Sequence, residues 1–132
     1  MAEQLIQGEL TDTIIKSFFH VYNSLGYGFL EKVYENSSEL SLTNASCLVK
    51  KQWPVAVSFE GQIVGEYFVD LLVNDAVVVE VKAAKSIASE HEAQLLNYLK
   101  ATGYSVGLLL NFGPKAEFRR KVFSHQHKTG TE

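Results

Sequence analysis

The chain is poor in cysteine, proline, tryptophan and methionine, and it has no excess of positive charge. Its 132 residues include 1 Cys, 2 Pro, 1 Trp and 1 Met. A lone cysteine, Cys47, excludes an internal disulfide and fits a reducing compartment. Its plain reading is a small apolar filler rather than a nucleophile. With 12 basic against 15 acidic residues the net charge is −3. That argues against a protein that coats nucleic acid by charge alone, while leaving a local basic surface open. No apolar run approaches the length that spans a bilayer. The opening MAEQLIQGEL lacks the basic start and apolar centre of a signal peptide. The expectation is therefore a cytoplasmic protein without membrane contact. No internal repeat, low-complexity segment or dividing linker is present. One domain over residues 1–132 is the default, with a frayed polar tail from about 124 to 132.

What is present is a soluble globular composition, 46% hydrophobic and 20% charged. The most informative stretch is Val69 to Lys82, VDLLVNDAVVVEVK: two apolar runs broken by Asn74-Asp75. Each run carries a carboxylate, Asp70 and Glu80, and Lys82 follows Glu80 by two residues. Strand side chains alternate, so Glu80 and Lys82 share a face. A three-residue loop, Asn74-Asp75-Ala76, sets Asp70 opposite Glu80. A two-residue loop, Asn74-Asp75, has the stronger turn signal and puts them on opposite faces unless a bulge restores the register. Two converging carboxylates offer hard oxygens to Mg²⁺ or Mn²⁺, and a lysine beside them can orient a water or offset phosphoryl charge. The competing reading is a hairpin end in solvent with an ordinary Glu80–Lys82 surface pair.

In chain order, Thr11 or Asp12 is expected to cap a helix running to about Leu25. Its apolar stripe is Ile14, Ile15, Phe18, Phe19, Tyr22 and Leu25. His20 in that helix reads as a partly covered side chain, since no second ligand stands at its spacing. A second helix is expected from about Phe29 to Leu42, with Leu30, Val33, Tyr34 and Leu40 inward. Glu31, near Tyr34 on the helix surface, either reaches toward the hairpin as a further metal ligand or is a solvated helix-start glutamate. Leu48 to Phe59 alternates as a half-buried strand, and Pro54 points to a sheet edge. Strands over Gln62–Val73 and Val77–Lys82 complete an antiparallel meander.

Ser89 and Glu92 match a capping box, opening a helix to about Thr102. His91, Gln94 and Tyr98 form a polar strip on it, able to hydrogen-bond a phosphate or to order a carboxylate. Ser105 to Asn111 reads as a buried strand, parallel to its neighbour through a crossover. Glu117 to Phe123 is an edge strand or a short helix. It carries the densest basic cluster, Arg119 to Lys121. His125 and His127, in the tail, are not read as ligands.

The order is helix with Glu, three strands with Asp and then Glu-x-Lys, helix with Gln-x-x-x-Tyr, strand. Gly28-Phe29-Leu30-Glu31-Lys32-Val33-Tyr34 resembles the motif of the small GxxExxY proteins. Asp70 with Glu80-Val81-Lys82 resembles the signature of the PD-(D/E)XK nuclease superfamily. Gln94 and Tyr98 resemble the Gln-x-x-x-Tyr element of its RecB-like branch. The likeness runs from about Leu10 to Val122 and takes in His91 to Leu96 and Leu110 to Gly113.

The resemblance implies an α+β (α/β) restriction-endonuclease-like αβββαβ core, a central mixed sheet flanked by helices. It also implies a divalent-metal phosphodiesterase site. Asp70 and Glu80 would hold Mg²⁺ (or Mn²⁺) with the carbonyl of Val81, and Glu31 would complete the metal site. Lys82 would orient the attacking water, and Gln94 and Tyr98 would steady the site or the phosphate. The expected partner is nucleic acid, DNA first. A catalytic nuclease would want a basic rim, for which Lys50, Lys51, Lys85 and Arg119–Lys121 are the candidates. If these residues scatter, a chain of this charge binds duplex poorly. Homodimerisation through the first helix or a strand edge would lengthen a basic track. The reading from a different class is a binding module that keeps the fold without turnover and works as a subunit of a larger complex.

Overall fold

The computed structural model describes residues 6–125. Residues 126–132, read from the sequence as part of a frayed tail and including His127, lie outside the described residues. His125 is held, with its Nε2 3.0 Å from the Tyr104 carbonyl oxygen and its ring against Phe123.

The elements are α1 (Gly8–Leu25), α2 (Glu31–Asn44), β1 (Val49–Phe59), β2 (Gln62–Val73), β3 (Val77–Lys82), α3 (Ser89–Thr102), β4 (Val106–Phe112) and β5 (Ala116–Val122). The five strands form one sheet in chain order. β3 and β4 are parallel, and every other pair is antiparallel. β3 and β4 are the near-continuous apolar runs because they sit mid-sheet and are covered on both faces.

α1 and α2 cover one face. There Ile14, Phe18, Tyr34 and Leu42 pack on Leu71, Val79, Val81, Leu108, Leu110 and Phe112. α3 covers the other face, where Leu95, Tyr98 and Leu99 meet Val55, Val69, Leu72, Val78 and Leu109. β5 is the far edge strand, which settles the strand-or-helix choice for that segment. β1 is the other edge, as Pro54 foretold. No helix among the described residues is long and apolar enough to cross a membrane.

Four expectations need correction. α1 starts at Gly8, a turn before Thr11, with no side-chain cap. Leu10 packs on the core, and the buried Thr11 hydroxyl donates to Gly8 O, so neither Thr11 nor Asp12 is the cap. The inner face of α1 is Thr11, Ile14, Ser17, Phe18 and Val21, while Phe19, Leu25 and His20 are exposed.

α2 begins at Glu31, and its inward residues are Tyr34, Glu35, Ser38 and Leu42. Leu30, Val33 and Leu40 are exposed. A small-residue seam explains the rotation: Ser17 and Ser41 hydroxyls bond at 2.7 Å between α1 and α2, and Ser38 is buried. The capping box at Ser89 does not form. Ala88 precedes the helix, and its N–H donates to His91 Nδ1 at 3.0 Å. His91 takes the place expected of Glu92, whose carboxylate instead pairs with Lys121 and Arg119.

Candidate active site

The β2–β3 turn sets the register of the carboxylates. Asn74 and Asp75 both have left-handed φ, 53° and 52°, a conformation that Asn and Asp tolerate. Ala76 N–H closes the turn on Val73 O at 3.0 Å. Val73 then pairs with Val77, so Ala76 is the extra residue that keeps the odd register. The ladder runs through Leu71 and Val79, and one step further sets Asp70 opposite Glu80.

At that step side chains replace the ladder. Asp70 N–H donates to Glu80 Oε2 at 2.9 Å, and Val81 N–H donates to Asp70 Oδ2 at 2.7 Å. Each carboxylate thus uses one oxygen to fasten the other's strand. The strands part here because β2 continues with β1 as a two-stranded arm beyond the end of β3. The side-chain alternation of both arm strands breaks at this row. Lys51 pairs with Leu71 and Trp53 with Val69, yet Leu71 and Val69 belong to opposite cores. Between them lies Gln52, with φ 51°.

Gln52 Nε2 donates to Glu35 Oε2 at 2.9 Å and to Asp70 Oδ1 at 3.4 Å. Glu35 is buried on α2 and takes Lys32 Nζ on its other oxygen at 3.2 Å. Reading the sequence missed both residues. Glu35 falls one turn after Glu31 on the same helix, and Gln52 falls opposite Asp70 once β1 and β2 are aligned. Glu31 is exposed, and its Oε2 accepts from Ala83 N–H at 3.2 Å just past Lys82.

Burial foremost, and then the charge of Asp70, push Glu80 up to about 8. Lys82 pulls it back and Glu31 adds to the rise. Burial also raises Asp70. The Val81 N–H bond opposes this, Glu35 reinforces it, and Lys82 opposes it. Tyr98 is pushed up to about 12 by burial and then by Glu80, Tyr67 and Asp70. The structure thus brings Asp70, Glu80, Lys82, Glu31 and Tyr98 into one electrostatic neighbourhood. Gln94 lies beside Tyr98 on the wall of a cleft, with no hydrogen bond to either carboxylate among the described residues.

Two motifs hold this neighbourhood in place. The Tyr34 hydroxyl donates to Gly26 O at 2.6 Å and accepts from Phe29 N–H at 3.2 Å. Its ring stacks on Phe112 at 4.4 Å. This fixes the turn that delivers Glu31 at the start of α2. Buried Asn111 clasps Ala84: its Oδ1 accepts from Ala84 N–H at 2.8 Å and its Nδ2 donates to Ala84 O at 3.0 Å. Gly113 leaves room for that clasp, since a Cβ there would stand 2.2 Å from Ala84 O.

The basic rim does not assemble. Lys50 pairs with Asp75 and Lys51 with Glu39. Arg119 and Lys121 pair with Glu92, and Arg120 bonds Ile6 O on the far edge strand. Lys85 is exposed beyond the Ala84 clasp.

The family model of the PD-(D/E)XK nuclease superfamily matches residues 8–121. The chain belongs to this superfamily. Its mixed sheet with flanking helices is the restriction-endonuclease-like fold. A search of curated protein sequences finds no match. Among solved structures, the chain is similar to SSO0001, with a TM-score of 0.55 and 17% identity over 93% of this chain. It spans 62% of the length of that protein. It is also similar to the alkaline exonuclease LHK-Exo from Laribacter hongkongensis, with a TM-score of 0.54 and 8% identity, covering 98% of this chain and 76% of the other. At these identities the likeness is one of fold.

PD-(D/E)XK nucleases generally use divalent metals, and the donor set here fits one. Two carboxylates face one another, Glu80 buried and Asp70 half-buried, and burial raises both above their ordinary range. Among the described residues no three His, Cys, Asp or Glu side chains gather to cage an ion. A pair of carboxylates suits a divalent cation that keeps several of its own waters.

Proposed function

We propose that the chain is a divalent-metal-dependent nuclease of the GxxExxY type that hydrolyses phosphodiester bonds of DNA. The observation that carries this reading is the reciprocal bonding of Asp70 and Glu80, which holds a half-buried and a buried carboxylate together at the row where β2 leaves β3. Asp70, Glu80 and the Val81 carbonyl are the ligands for Mg²⁺ or Mn²⁺, with Glu31 beside Glu80 as the further carboxylate. Bound there, the cation supplies charge stabilisation at a phosphoryl oxygen and a water of lowered pKa. Lys82 shares the face of Glu80 and holds the attacking water against the phosphate. No ion pair within 4.0 Å engages it among the described residues, so its ammonium is available for that role. The Tyr98 hydroxyl stays protonated through the neutral range and would serve as a donor to the phosphate. Gln94 lines the approach. Gln52, bridging Glu35 and Asp70, fixes the orientation of Asp70.

A non-catalytic or partner-dependent subunit is the second reading, favoured by the ion-paired state of the lysines and arginines. A homodimer would contribute the missing cations. The lone Cys47 is in keeping with a cytoplasmic setting. The test is cleavage of plasmid and single-stranded DNA with Mg²⁺ or Mn²⁺ by the wild type, Asp70→Ala and Lys82→Ala. The proposal expects cleavage by the wild type and loss in both variants. Absence of cleavage by a folded, metal-loaded wild type favours the subunit reading.

A further inference from the structure

Beside the carboxylates lies a cleft of ≈ 780 Å³ between the β1–β2 arm and α3. That volume is in the range that encloses a drug-sized group, about 300–1,000 Å³. One wall is Ala56, Val57, Ser58 and Tyr67 of the arm, and the other is presented by α3. Tyr98 lines the cleft and lies near enough to Glu80 and Asp70 for their charges to raise its hydroxyl, so this residue links the cleft to the candidate active site.

The chemistry of the walls is unlike that of a surface gripping a duplex. Such a surface needs lysines and arginines for phosphates on two strands. Here the charged lining residues are Lys100 and Glu90, one of each sign. On the edge strands Lys50, Lys51, Arg119 and Lys121 are held in the ion pairs already described, and Arg120 bonds Ile6 O. What the cleft offers instead is small apolar side chains, the amides of Gln94 and Asn97, and an aromatic face. The Tyr67 ring leans on Tyr98, with centroids 5.9 Å apart and planes at 44°, and it remains 48% exposed. Gly65 leaves room for the ring: a Cβ there would stand 3.2 Å from it. The ring is braced on one side by a second tyrosine. A preset, half-exposed aromatic offers a stacking surface to an unpaired base, since every base has a π-face and a hydrogen-bonding edge.

We propose that this cleft receives the bases of an unpaired nucleic-acid strand, with Tyr67 as the stacking surface and Asn97 and Gln94 on the base edges. The assignment rests on the nuclease reading for what happens at the carboxylates, and it narrows the substrate to single strands or frayed ends.

The test separates binding from cutting. Binding of fluorescein-labelled single-stranded DNA and RNA decamers and of the matching duplex is measured by anisotropy in EDTA, so no metal chemistry enters. The wild type is expected to bind the single strand at least tenfold tighter than the duplex. One or two phosphate contacts imply a shallow salt slope, about −1 in log K against log salt. Tyr67→Ala is expected to weaken single-strand binding roughly fivefold to a hundredfold, the loss of one stacked base. Tyr67→Phe should retain it. Ala93→Trp fills the cleft from exposed α3 and should abolish binding in a protein whose circular dichroism is unchanged.

Equal affinity for duplex and single strand, or full binding by Ala93→Trp, overturns the proposal. So does failure of the wild type to bind any oligonucleotide. A dimer that Ala93→Trp dissolves would give the cleft to a second copy and also overturn it. Cleavage of single-stranded DNA with Mn²⁺ is assayed separately. Single-strand binding without cleavage leaves the cleft standing and refutes the nuclease. Cleavage unchanged by Tyr67→Ala and Ala93→Trp refutes the cleft and leaves the nuclease.

Discussion

Replacing Asn111 with alanine removes the clasp that joins β4 to the chain just past Lys82. Asn111 has no exposed surface, and both ends of its amide bond Ala84, at 2.8 and 3.0 Å. The substitution leaves the Ala84 N–H and C=O without these partners. An unsatisfied buried donor or acceptor costs about 1–3 kcal/mol. Ala84 is only part-buried, so the lower half of that range applies to each group. The sum is about 3 kcal/mol, including a small cavity. For a chain of this size that is a fall in Tm on the order of 10 °C, read by thermal and urea melts.

Gly113→Ala should do comparable damage by a different route, since the added Cβ meets Ala84 O at 2.2 Å and Asn111 Nδ2 at 2.9 Å. Because both changes break one clasp, the double variant should lose clearly less than the sum of the singles. An Asn111→Ala protein within about 0.5 kcal/mol of the wild type would refute the reasoning, as would strict additivity.

Other outcomes follow from the same geometry. Tyr34→Phe keeps the stack on Phe112 but loses the hydroxyl bonds to Gly26 O and Phe29 N–H. It should lower stability by about 1–2 kcal/mol in a urea melt. Glu35→Ala releases Gln52 and Lys32 and should cost about 1–3 kcal/mol. The carboxyl of Glu80 is raised in the folded state from 4.5 to about 8. Its contribution to stability is therefore full below about pH 4.5 and lost as pH climbs through 8. In EDTA the wild type should lose up to roughly 5 kcal/mol relative to Glu80→Gln across that window. Added Mg²⁺ should flatten the wild-type slope and leave the variant's unchanged.

The strands of the site were legible in the sequence almost to the residue: Gln62–Val73 and Val77–Lys82 are where apolar runs and Asn74-Asp75 put them. The odd register was legible only as one of two options, because it depends on Ala76 adding a residue to a two-residue turn. α2 was placed within two residues but turned the wrong way. Hydrophobic spacing selects Leu30, Val33, Tyr34 and Leu40, of which only Tyr34 is buried, whereas the helix adds Glu35, Ser38 and Leu42 to that face along its seam with α1 and the sheet. That same rotation hid Glu35 from a reading by polarity. Gln52 was hidden because only strand alignment brings it to Asp70. The basic rim failed because single-residue counts of charge say nothing about pairing, and most of these cations find carboxylates nearby. Asn111 and Gly113 stood out in the sequence only as part of a family-typical run. Their clasp on Ala84 joins the end of β4 to the chain after β3, segments distant in the sequence.

The measurement that tests the central claim most directly is calorimetric titration of Mn²⁺ into the wild type, Asp70→Asn and Glu80→Gln at neutral pH. The account predicts one site in the wild type, with proton release as the Glu80 carboxyl ionises. It predicts binding weakened at least tenfold in each variant while the far-ultraviolet circular dichroism is unchanged. A wild type that takes up no Mn²⁺, or variants that bind it as tightly as the wild type, would contradict the assignment of Asp70 and Glu80 as a metal centre.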